Sequence, residues 1–327
     1  MGYSIRGFNF DDRDFAIYAE IMNAIDPEHP VTVEDLKHYI HSLPANCTRQ
    51  AFVADVEGRP VGCSDVGCNS FSYHPRKFGI MVRVLEDARG TGIGSALFEA
   101  CVEAVEPLSP MAFRCAVRED WPHSLRFAAK RGFEEKMREW ESALDMASYD
   151  PVQFAHLGER ASAEGITIKS AAQLAGAGTP DWQARIHEVE MQTLADVPMT
   201  DVFTPPTFED WSRMTLESPH FEPNGYFVAV DGDTFVATSA LWRGARETSL
   251  ETGLTGVLSD YRRKGIATAL KLHALAYAKK AGVAEVRTDN ATTNRAMLSI
   301  NELLGFQKRP GTVFMVKTIC EEAGDDD

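Results

Sequence analysis

The sequence lacks the features that mark a membrane, metal-binding or nucleic-acid-binding protein. No apolar run approaches the roughly 20 residues needed to span a bilayer, and the first residues lack the apolar core of a signal peptide. The net charge of −15 argues against a general nucleic-acid binder. The six cysteines include no C-x-x-C pair, and the histidines form no metal-binding pattern. These absences predict a cytoplasmic protein with free thiols, no metal, no nucleic-acid partner and no membrane contact.

The composition is that of a folded chain that can bury a sizeable core. Its 327 residues, of which 44% are hydrophobic and 25% charged, suit about two domains. There is no G-x-x-x-x-G-K-[ST] loop, and the basic turn at 262–267 is not G-x-G-x-x-G. The two best-known nucleotide-binding loops are therefore excluded at that turn.

The stretch from Leu254 to Gly282 is typical of a strand, a tight basic turn and a long helix. The first turn of such a helix has free backbone N–H groups and the positive end of the helix dipole. Gly265 allows a ligand to approach the backbone, so the turn is suited to phosphate. The turn reads Arg262-Arg263-Lys264-Gly265-Ile266-Ala267, and a later helical segment runs from Asn294 to Gly305-Phe306.

These two motifs resemble the coenzyme A site of the GNAT superfamily of N-acetyltransferases, whose signature is [RQ]-x-x-G-x-[GA] followed by an N…G-F helix. The resemblance implies an α/β (α+β) fold: a mixed, mostly antiparallel twisted sheet with a splayed parallel strand pair and flanking helices. It implies an acyltransferase that moves an acetyl group from acetyl-CoA to a primary amine. The residues it assigns to cofactor binding are Thr255, Gly256, Val257, Arg262, Arg263, Lys264, Gly265, Ile266, Ala267, Thr268, Asn294 and Asn301.

The first half of the chain carries the same motifs. Arg262 follows Arg89 by 173 residues, and Gly305 follows Gly132 by the same interval, which indicates a duplicated fold. We predict an N-terminal GNAT-like domain over 1–148, a helical linker over 149–165, a C-terminal GNAT domain over 166–320 and a solvated acidic tail over 321–327. The resemblance assigns possible CoA contacts in the first copy to Val84, Arg89, Gly90, Gly92 and Gly94.

The amine must lose a proton before it attacks a thioester, and Glu251 is the candidate general base. Strand alternation predicts that Glu251 shares a face with Thr255 and Val257. It lies 11 residues before Arg262, where the resemblance to the histone-acetyltransferase branch places the base. Glu247 is the fallback, and the alternative is that Glu251 is merely solvated or ion-paired.

The first copy lacks a recognisable base. Phe78 lies 11 residues before Arg89, and Trp121 replaces Asn294. We therefore expect this copy to be catalytically silent, similar to tandem GNAT proteins such as mycothiol synthase, in which the C-terminal copy is active. Asn301 stands where many family members have a tyrosine acid, so the acid is unassigned. Asn294 either contacts CoA, caps its helix, or both.

The expected acceptor is a small-molecule or peptide amine, and the net charge favours a cationic one. Monomer and homodimer are both open. The Pro-rich loop over 197–206 is either a lid over the acceptor or an ordinary inter-domain loop. Two other functions stay open: a non-catalytic acyl-CoA-binding sensor or assembly protein, and transfer of a longer acyl group.

Overall fold

The computed structural model describes residues 2–244, 246 and 248–320, which form two compact units. The N-terminal unit comprises the described parts of 1–138, 200–206 and 312–327, and the C-terminal unit those of 139–199 and 207–311. None of the described helices is long and apolar enough to cross a membrane. The predicted tail over 321–327 and the fallback base Glu247 lie outside the described residues.

Strands and helices alternate along much of the chain. The strands are β1 (Tyr3–Gly7), β2 (Arg49–Val56), β3 (Arg59–Gly67), β4 (Lys77–Val84), β5 (Ala112–Arg118), β6 (Glu134–Asp145), β7 (Ile166–Ser170), β8 (Phe221–Asp231), β9 (Thr234–Arg243), β10 (Ser249–Val257), β11 (Glu285–Ala291), β12 (Gln307–Lys308) and β13 (Thr312–Thr318). The α-helices are α1 (Asp12–Ile25), α2 (Val33–Ser42), α3 (Ile93–Val105), α4 (Pro122–Ala129), α5 (Pro151–Ala163), α6 (Ala171–Gly176), α7 (Trp182–Leu194), α8 (Phe208–Thr215), α9 (Ile266–Ala281) and α10 (Arg295–Leu303).

The sheet of the N-terminal unit has the order β1-β2-β3-β4-β5-β13. Its neighbours are antiparallel except for β4 and β5, whose parallel pairing ends at Gly79 and Arg114. Phe78 and Phe113 pack on α3, while Phe15 of α1 covers the opposite face. Each face of the sheet is therefore buried by helices, as the alternation of apolar side chains requires.

The sheet of the C-terminal unit has the order β6-β11-β10-β9-β8-β7, with β12 paired to β6. Only β10 and β11 are parallel among these strands, and their pairing ends at Thr252 and Thr288. Beyond that pair the two strands diverge. The predicted mixed sheet with a splayed parallel pair is confirmed.

Helices cover the two faces of the C-terminal sheet. Leu250 and Val286 pack against Leu270 of α9, and we call this face the α9 side. Trp242 lies in the cluster that contains Val189 of α7, and we call this face the α7 side. Since side chains alternate along a strand, each strand residue can be assigned to one of these sides.

The compact units divide the chain differently from the predicted contiguous domains. Residues 139–145 of β6 pair with β11 in the C-terminal unit, although they were predicted to close the first domain. The predicted last strand, β13, pairs instead with β5 in the N-terminal unit. The predicted linker helix is α5, which belongs to the C-terminal unit. Sequence alternation identifies a strand but not its neighbour, so two similar halves can exchange such strands.

The predicted 197–206 loop is also shared. Residues 200–206 belong to the N-terminal unit, where the Arg114 Nε atom lies 2.5 Å from the Asp201 carboxylate. The backbone N–H of Thr204 donates to the carbonyl of Phe71 at 2.8 Å. This part of the loop is therefore fixed to the N-terminal unit by an ion pair and a backbone hydrogen bond.

Two of the six cysteines are not free thiols. Cys47 and Cys68 form a disulfide with a Cα–Cα distance of 5.5 Å. The two cysteines lie just beyond the paired ends of β2 and β3. The backbone N–H of Cys68 donates to the carbonyl of Thr48 there, which brings the two side chains together. The prediction of free thiols throughout was wrong for this pair, whose proximity depends on strand register. Cys63 and Cys101 are free and buried.

A β-bulge interrupts β10 near the point where it leaves β11. Thr252 pairs with Leu241 and Thr255 pairs with Ser239, so β10 has one more residue than β9 between these pairs. An extra residue in one strand moves all following side chains to the other face. Alternation counted along β10 therefore fails across the bulge.

The bulge changes the predicted position of Glu251. Glu251 pairs with Trp242 and lies on the α7 side. Thr255 and Val257 lie on the α9 side, and Val257 packs against the core there. The prediction that Glu251 shares a face with these two residues was wrong, because sequence alternation does not reveal a bulge.

Gly256 is required by the packing of α7. A Cβ atom on Gly256 would lie 2.5 Å from the Cβ of Thr193. We expect Gly256→Ala to lower the free energy of unfolding by about 1–3 kcal/mol, as overpacking does in other cores. The measurement is the denaturant midpoint of the full chain.

Gly79→Ala is the matched control, because the nearest atom to its added Cβ is 3.7 Å away and the backbone φ is not positive. Its midpoint should stay at or slightly above that of the parent. Equal midpoints for both variants would show that α7 is not packed against Gly256 as described.

Candidate active site

The basic turn after β10 adopts a conformation that exposes backbone N–H groups. Arg263 and Gly265 both have positive φ, 63° and 80°. Helix α9 begins at Ile266, and its N-cap Gly265 makes no side-chain capping hydrogen bond. The first N–H groups of α9 therefore have no side-chain cap and can bind an anion at the positive end of the helix dipole.

The turn after β4 has the same backbone conformation. Gly90 and Gly92 have φ of 78° and 93°, at the positions of Arg263 and Gly265. Helix α3 begins at Ile93 and likewise lacks a side-chain cap. Both copies thus retain the turn that the motif predicted.

The arginine of each motif holds the end of its strand. The Nε atom of Arg262 donates to the carbonyl of Val257 at 3.0 Å, and that of Arg89 donates to Val84 at the same distance. Arg262 also forms an ion pair with Asp196. The motif arginine therefore shapes the turn as well as adding positive charge, a role that the sequence pattern did not reveal.

Other cations surround the later turn. The Lys264 ammonium lies 4.8 Å from the centre of the Tyr261 ring. The side chain of Arg160 lies against the turn, since its Cβ would be 3.3 Å from a Cβ on Gly265. Arg160 comes from α5, which was predicted to be a linker, so sequence reasoning missed it.

The remaining predicted cofactor residues follow the α9 side of the C-terminal unit. The side chain of Ile266 is buried in the core, so only its backbone can contact a ligand. Ala267 and Thr268 are half-buried in the first turn of α9. The Thr255 hydroxyl hydrogen-bonds to the Ser239 hydroxyl at 2.8 Å.

In the first copy, a Cβ on Gly94 would lie 3.3 Å from the Phe127 ring, so the absence of a side chain at Gly94 allows this ring to pack closely.

The two predicted asparagines have different roles. Asn294 is the N-cap of α10 and accepts a hydrogen bond from the N–H of Met297 at 3.2 Å. Asn301 is 1% exposed, and its Nδ2 donates to the Oδ1 of Asn290 at 2.6 Å. Its own Oδ1 is buried without a hydrogen-bond partner in the described part of the chain.

Glu251 is exposed on the α7 side, directly opposite Trp242 across the β9–β10 ladder. On the other flank it pairs with Arg287 of β11. Arg287 is itself held by Glu285 at 2.5 Å and lies 3.5 Å from Glu141. Glu251 forms no hydrogen bond or ion pair with another described residue, which leaves its carboxylate available to a substrate.

The α7 side of this sheet carries several carboxylates. Asp289 of β11 is exposed just beyond the last β10–β11 pair. It pairs with Glu141 of β6, and Glu139 lies two residues along the same strand. Burial raises the pKa of Glu139. Arg287 and Arg309 lie 3.5 and 3.9 Å from the carboxylate of Glu141, which they compensate, so Asp289 is the exposed member of this group.

The N-terminal copy has no carboxylate at the position of Glu251. Val84 and Val257 are equivalent positions of the two copies. When the paired residues are counted back from them, Glu251 corresponds to Gly79, because β10 has a bulge and β4 has none. Phe78 is buried in the core on the other face. The predicted correspondence with Phe78 was therefore wrong by one residue, although neither residue can act as a base.

Large side chains occupy the corresponding part of the N-terminal copy. Arg83 stands 173 residues before Gly256, and its guanidinium lies 5.5 Å from the centre of the Trp121 ring. Trp121 stands where the later copy has Asn294 and makes no side-chain cap for α4. The two copies thus share the turn but differ in the groups beside the diverging strands.

Two segments of the chain match one family. Residues 189–306 match the acetyltransferase (GNAT) family, and residues 48–135 match the acetyltransferase (GNAT) domain. The chain is a tandem member of the GNAT acetyltransferase family. Each matched GNAT segment contains one of the two uncapped turns.

Proteins that are similar to this chain in sequence or fold include N-acetyltransferases and a tandem GNAT protein. Aminoglycoside N(6')-acetyltransferase type 1 from Acinetobacter genomosp. 13 is 41% identical over 63 residues, which are 19% of this chain and 43% of that relative. A GCN5-related N-acetyltransferase from Sphaerobacter thermophilus has a TM-score of 0.69 at 19% identity, covering 98% of this chain and 96% of that one. A tandem GNAT protein from the clavulanic acid biosynthesis pathway has a TM-score of 0.74 at 18% identity, covering 98% and 100%. At these identities the structures show the fold.

A buried carboxyl supports α7, the helix that packs on Gly256. Glu190 accepts a hydrogen bond from the Nε1 of Trp211 at 2.7 Å and another from the hydroxyl of Tyr226. Burial raises the pKa of Glu190, although both hydrogen bonds favour the ionised form. Its ionisation in the folded state is therefore unfavourable relative to the unfolded chain.

This shift predicts how stability depends on pH. A raised folded pKa stabilises the fold fully below the ordinary unfolded value of about 4.3, and the contribution is lost as the pH rises through the folded pKa. Glu190→Gln should therefore gain stability relative to the parent as pH rises above that value. Denaturant midpoints measured at several pH values test this, with exposed Glu188→Gln on the same helix as control. A stability difference between the parent and Glu190→Gln that does not change with pH would contradict it.

Proposed function

We propose that the C-terminal unit transfers an acetyl group from acetyl-CoA to a primary amine, with Glu251 as general base. The observation that carries this proposal is the combination, in one unit, of an uncapped basic turn, diverging strands and an available carboxylate. In the N-terminal unit the turn is retained, but Gly79 stands at the position of Glu251. We propose that this unit is catalytically silent.

The α9 side suits the co-substrate. Its diphosphate would be held by the first N–H groups of α9 and by the charges of Arg263, Lys264 and Arg160. The pantetheine arm would then follow Val257 and Thr255 and add to the free edge of β10, where β11 has diverged. The acetyl thioester would reach the gap between the two strands and supply the acyl group there.

The opposite side of the same gap suits the amine. Glu251 lies on the α7 side, so base and co-substrate approach the gap from different faces of the sheet. Glu251 takes the proton from the ammonium, directly or through one water. The nitrogen lone pair then forms a bond to the thioester carbon, and the carbonyl π electrons move to oxygen. As the carbonyl re-forms, the C–S bond breaks, its electron pair leaves with the thiolate, and the nitrogen loses its second proton to water.

The acceptor we propose is a small cationic amine. Glu251 and Asp289 are exposed carboxylates on this side, and the nearby Arg287 is paired with Glu285 and Glu141. The exposed negative charge raises the local concentration of ammonium groups. The matched relative is named for acetylating an amine of a small molecule, the aminoglycosides. A non-catalytic acyl-CoA sensor is the second candidate, since the N-terminal copy keeps its turn without a base.

Binding of acetyl-CoA distinguishes the two turns. Gly265→Glu places a carboxylate at the N-cap of α9 and a side chain at a φ of 80°, so repulsion and strain should both weaken binding. We expect the dissociation constant to rise more than about tenfold by calorimetry, the effect of roughly 1.4 kcal/mol.

Gly92→Glu is the matched control, since it makes the same change at a φ of 93° in the N-terminal copy. Its dissociation constant for acetyl-CoA at the C-terminal turn should equal that of the parent. Unchanged affinity in Gly265→Glu, with loss of affinity in Gly92→Glu, would show that the cofactor binds to the N-terminal unit instead.

Removal of the base should affect turnover and leave cofactor binding intact. Glu251→Gln keeps the shape of the side chain but cannot accept the ammonium proton, so kcat should fall by about 100-fold or more. Thiol release from acetyl-CoA with a panel of primary amines measures this, and Asp233→Asn at the β8–β9 turn is the control. Equal rates for the parent and Glu251→Gln would remove Glu251 from the mechanism. Tight acetyl-CoA binding with no turnover on any amine would favour the sensor.

A further inference from the structure

The proposed mechanism leaves the departing thiolate without a protein group to stabilise it. A thiolate needs a hydrogen-bond donor more than a proton, because a thiol has an ordinary pKa of about 8.5 and leaves readily as an anion. Such a donor has to lie on the α9 side of the gap, where the pantetheine arm is proposed to run. Asn301, which stands where many family members have a tyrosine acid, is the first residue to consider for this contact.

Asn301 is directed at a neighbouring residue rather than at the gap. Its side chain lies on the buried face of α10, and its Nδ2 donates to the Oδ1 of Asn290 at 2.6 Å. This bond orients the Asn290 amide with its Oδ1 toward Asn301. It leaves the Nδ2 of Asn290 available as a donor.

Asn290 stands at the divergence of the two parallel strands. It lies two residues beyond Thr288, the last β11 residue that pairs with β10. Val286 belongs to the core on the α9 side, so alternation places Asn290 on that side too. Its side chain is half-buried, and its Nδ2 makes no hydrogen bond to any residue in the described ranges.

A second observation shows that the hydrogen bonding of this pair is incomplete. The Oδ1 of Asn301 is buried and lacks a hydrogen-bond partner among residues 2–244, 246 and 248–320. An unsatisfied buried acceptor costs free energy, and the great majority in folded proteins have a partner.

We propose that Asn290 is a catalytic residue that donates a hydrogen bond to the sulfur of the leaving thiolate, and that Asn301 is the positioning residue that orients its amide. This inference rests on the proposed function of the C-terminal unit. The C–S electron pair goes to sulfur, and Asn290 keeps its protons. Of the two protons that the ammonium loses, the first goes to Glu251 and the second to water. The thiolate takes a proton from water after it leaves.

The test uses binding of free CoA and of desulfo-CoA, which lacks the sulfur. A donor to sulfur stabilises the thiolate over the thiol, so it lowers the pKa of the bound thiol. The parent should therefore bind CoA more tightly as the pH rises from 7 toward the ordinary thiol pKa of about 8.5, while desulfo-CoA affinity should not follow. The difference between the two ligands isolates the sulfur contact.

Three variants test which residue causes the pH-dependent gain in affinity for CoA. Asn290→Leu removes the donor at similar volume and should abolish the pH-dependent gain for CoA while leaving desulfo-CoA affinity within about twofold of the parent. Asn290→Asp keeps the shape, and its carboxylate should make CoA binding weaken as pH rises. Asn301→Leu should reduce the gain, because the Asn290 amide is no longer held. Denaturant midpoints confirm that each variant is folded.

Turnover gives a second readout. Loss of one donor to developing charge should lower kcat in Asn290→Leu by about 100-fold, with the KM for acetyl-CoA changed far less. A parent whose affinities for CoA and desulfo-CoA show the same pH dependence would overturn the inference, as would an unchanged gain in Asn290→Leu. Failure of both ligands to bind would instead refute the proposed function, and the inference with it.

Discussion

The divergence of β10 and β11 is the constraint on which the rest of the site depends. Their parallel pairing ends at Thr252 and Thr288, so each strand has an edge of backbone groups without a neighbouring strand. A free edge inside a sheet is unfavourable unless water or a ligand pairs with it. The bulge in β10 and the turn at Gly265 bound this gap. The fold therefore contains a slot that an extended ligand can complete.

The two faces of the sheet separate the two halves of the proposed reaction. The α9 side has the uncapped helix end and the Asn290–Asn301 pair, which suit an anionic co-substrate and a leaving thiolate. The α7 side has Glu251 and further carboxylates, which suit an ammonium and its proton. Arg287 also lies on the α7 side, where it pairs with Glu285 and Glu141, while Glu251 makes no hydrogen bond or ion pair with another described residue. The proposed base and co-substrate therefore approach the gap from different faces of the sheet.

The N-terminal copy keeps the turn but not the side chains that we propose for catalysis. Its turn after β4 keeps both residues of positive φ, because the turn is also needed to connect a strand to a helix. Its β4 has no bulge, and Arg83 over Trp121 occupies the region beside the diverging strands. The backbone motif is therefore present in a copy that lacks the side chains proposed for catalysis. A motif of glycines and one arginine therefore indicates the fold and does not by itself indicate activity.

The sequence by itself determined the strand–turn–helix units, the duplication and the family, because periodicity and the glycines of a tight turn are local properties. It identified Asn294 and Asn301 but not Asn290, since a hydrogen bond across 11 residues has no sequence signal. Tertiary structure decided the face of Glu251, through a bulge defined only by pairing with β9. It also decided that β13 pairs with β5 and that Cys47 pairs with Cys68. These features depend on which strands become neighbours, and alternating side chains fit any neighbour equally well.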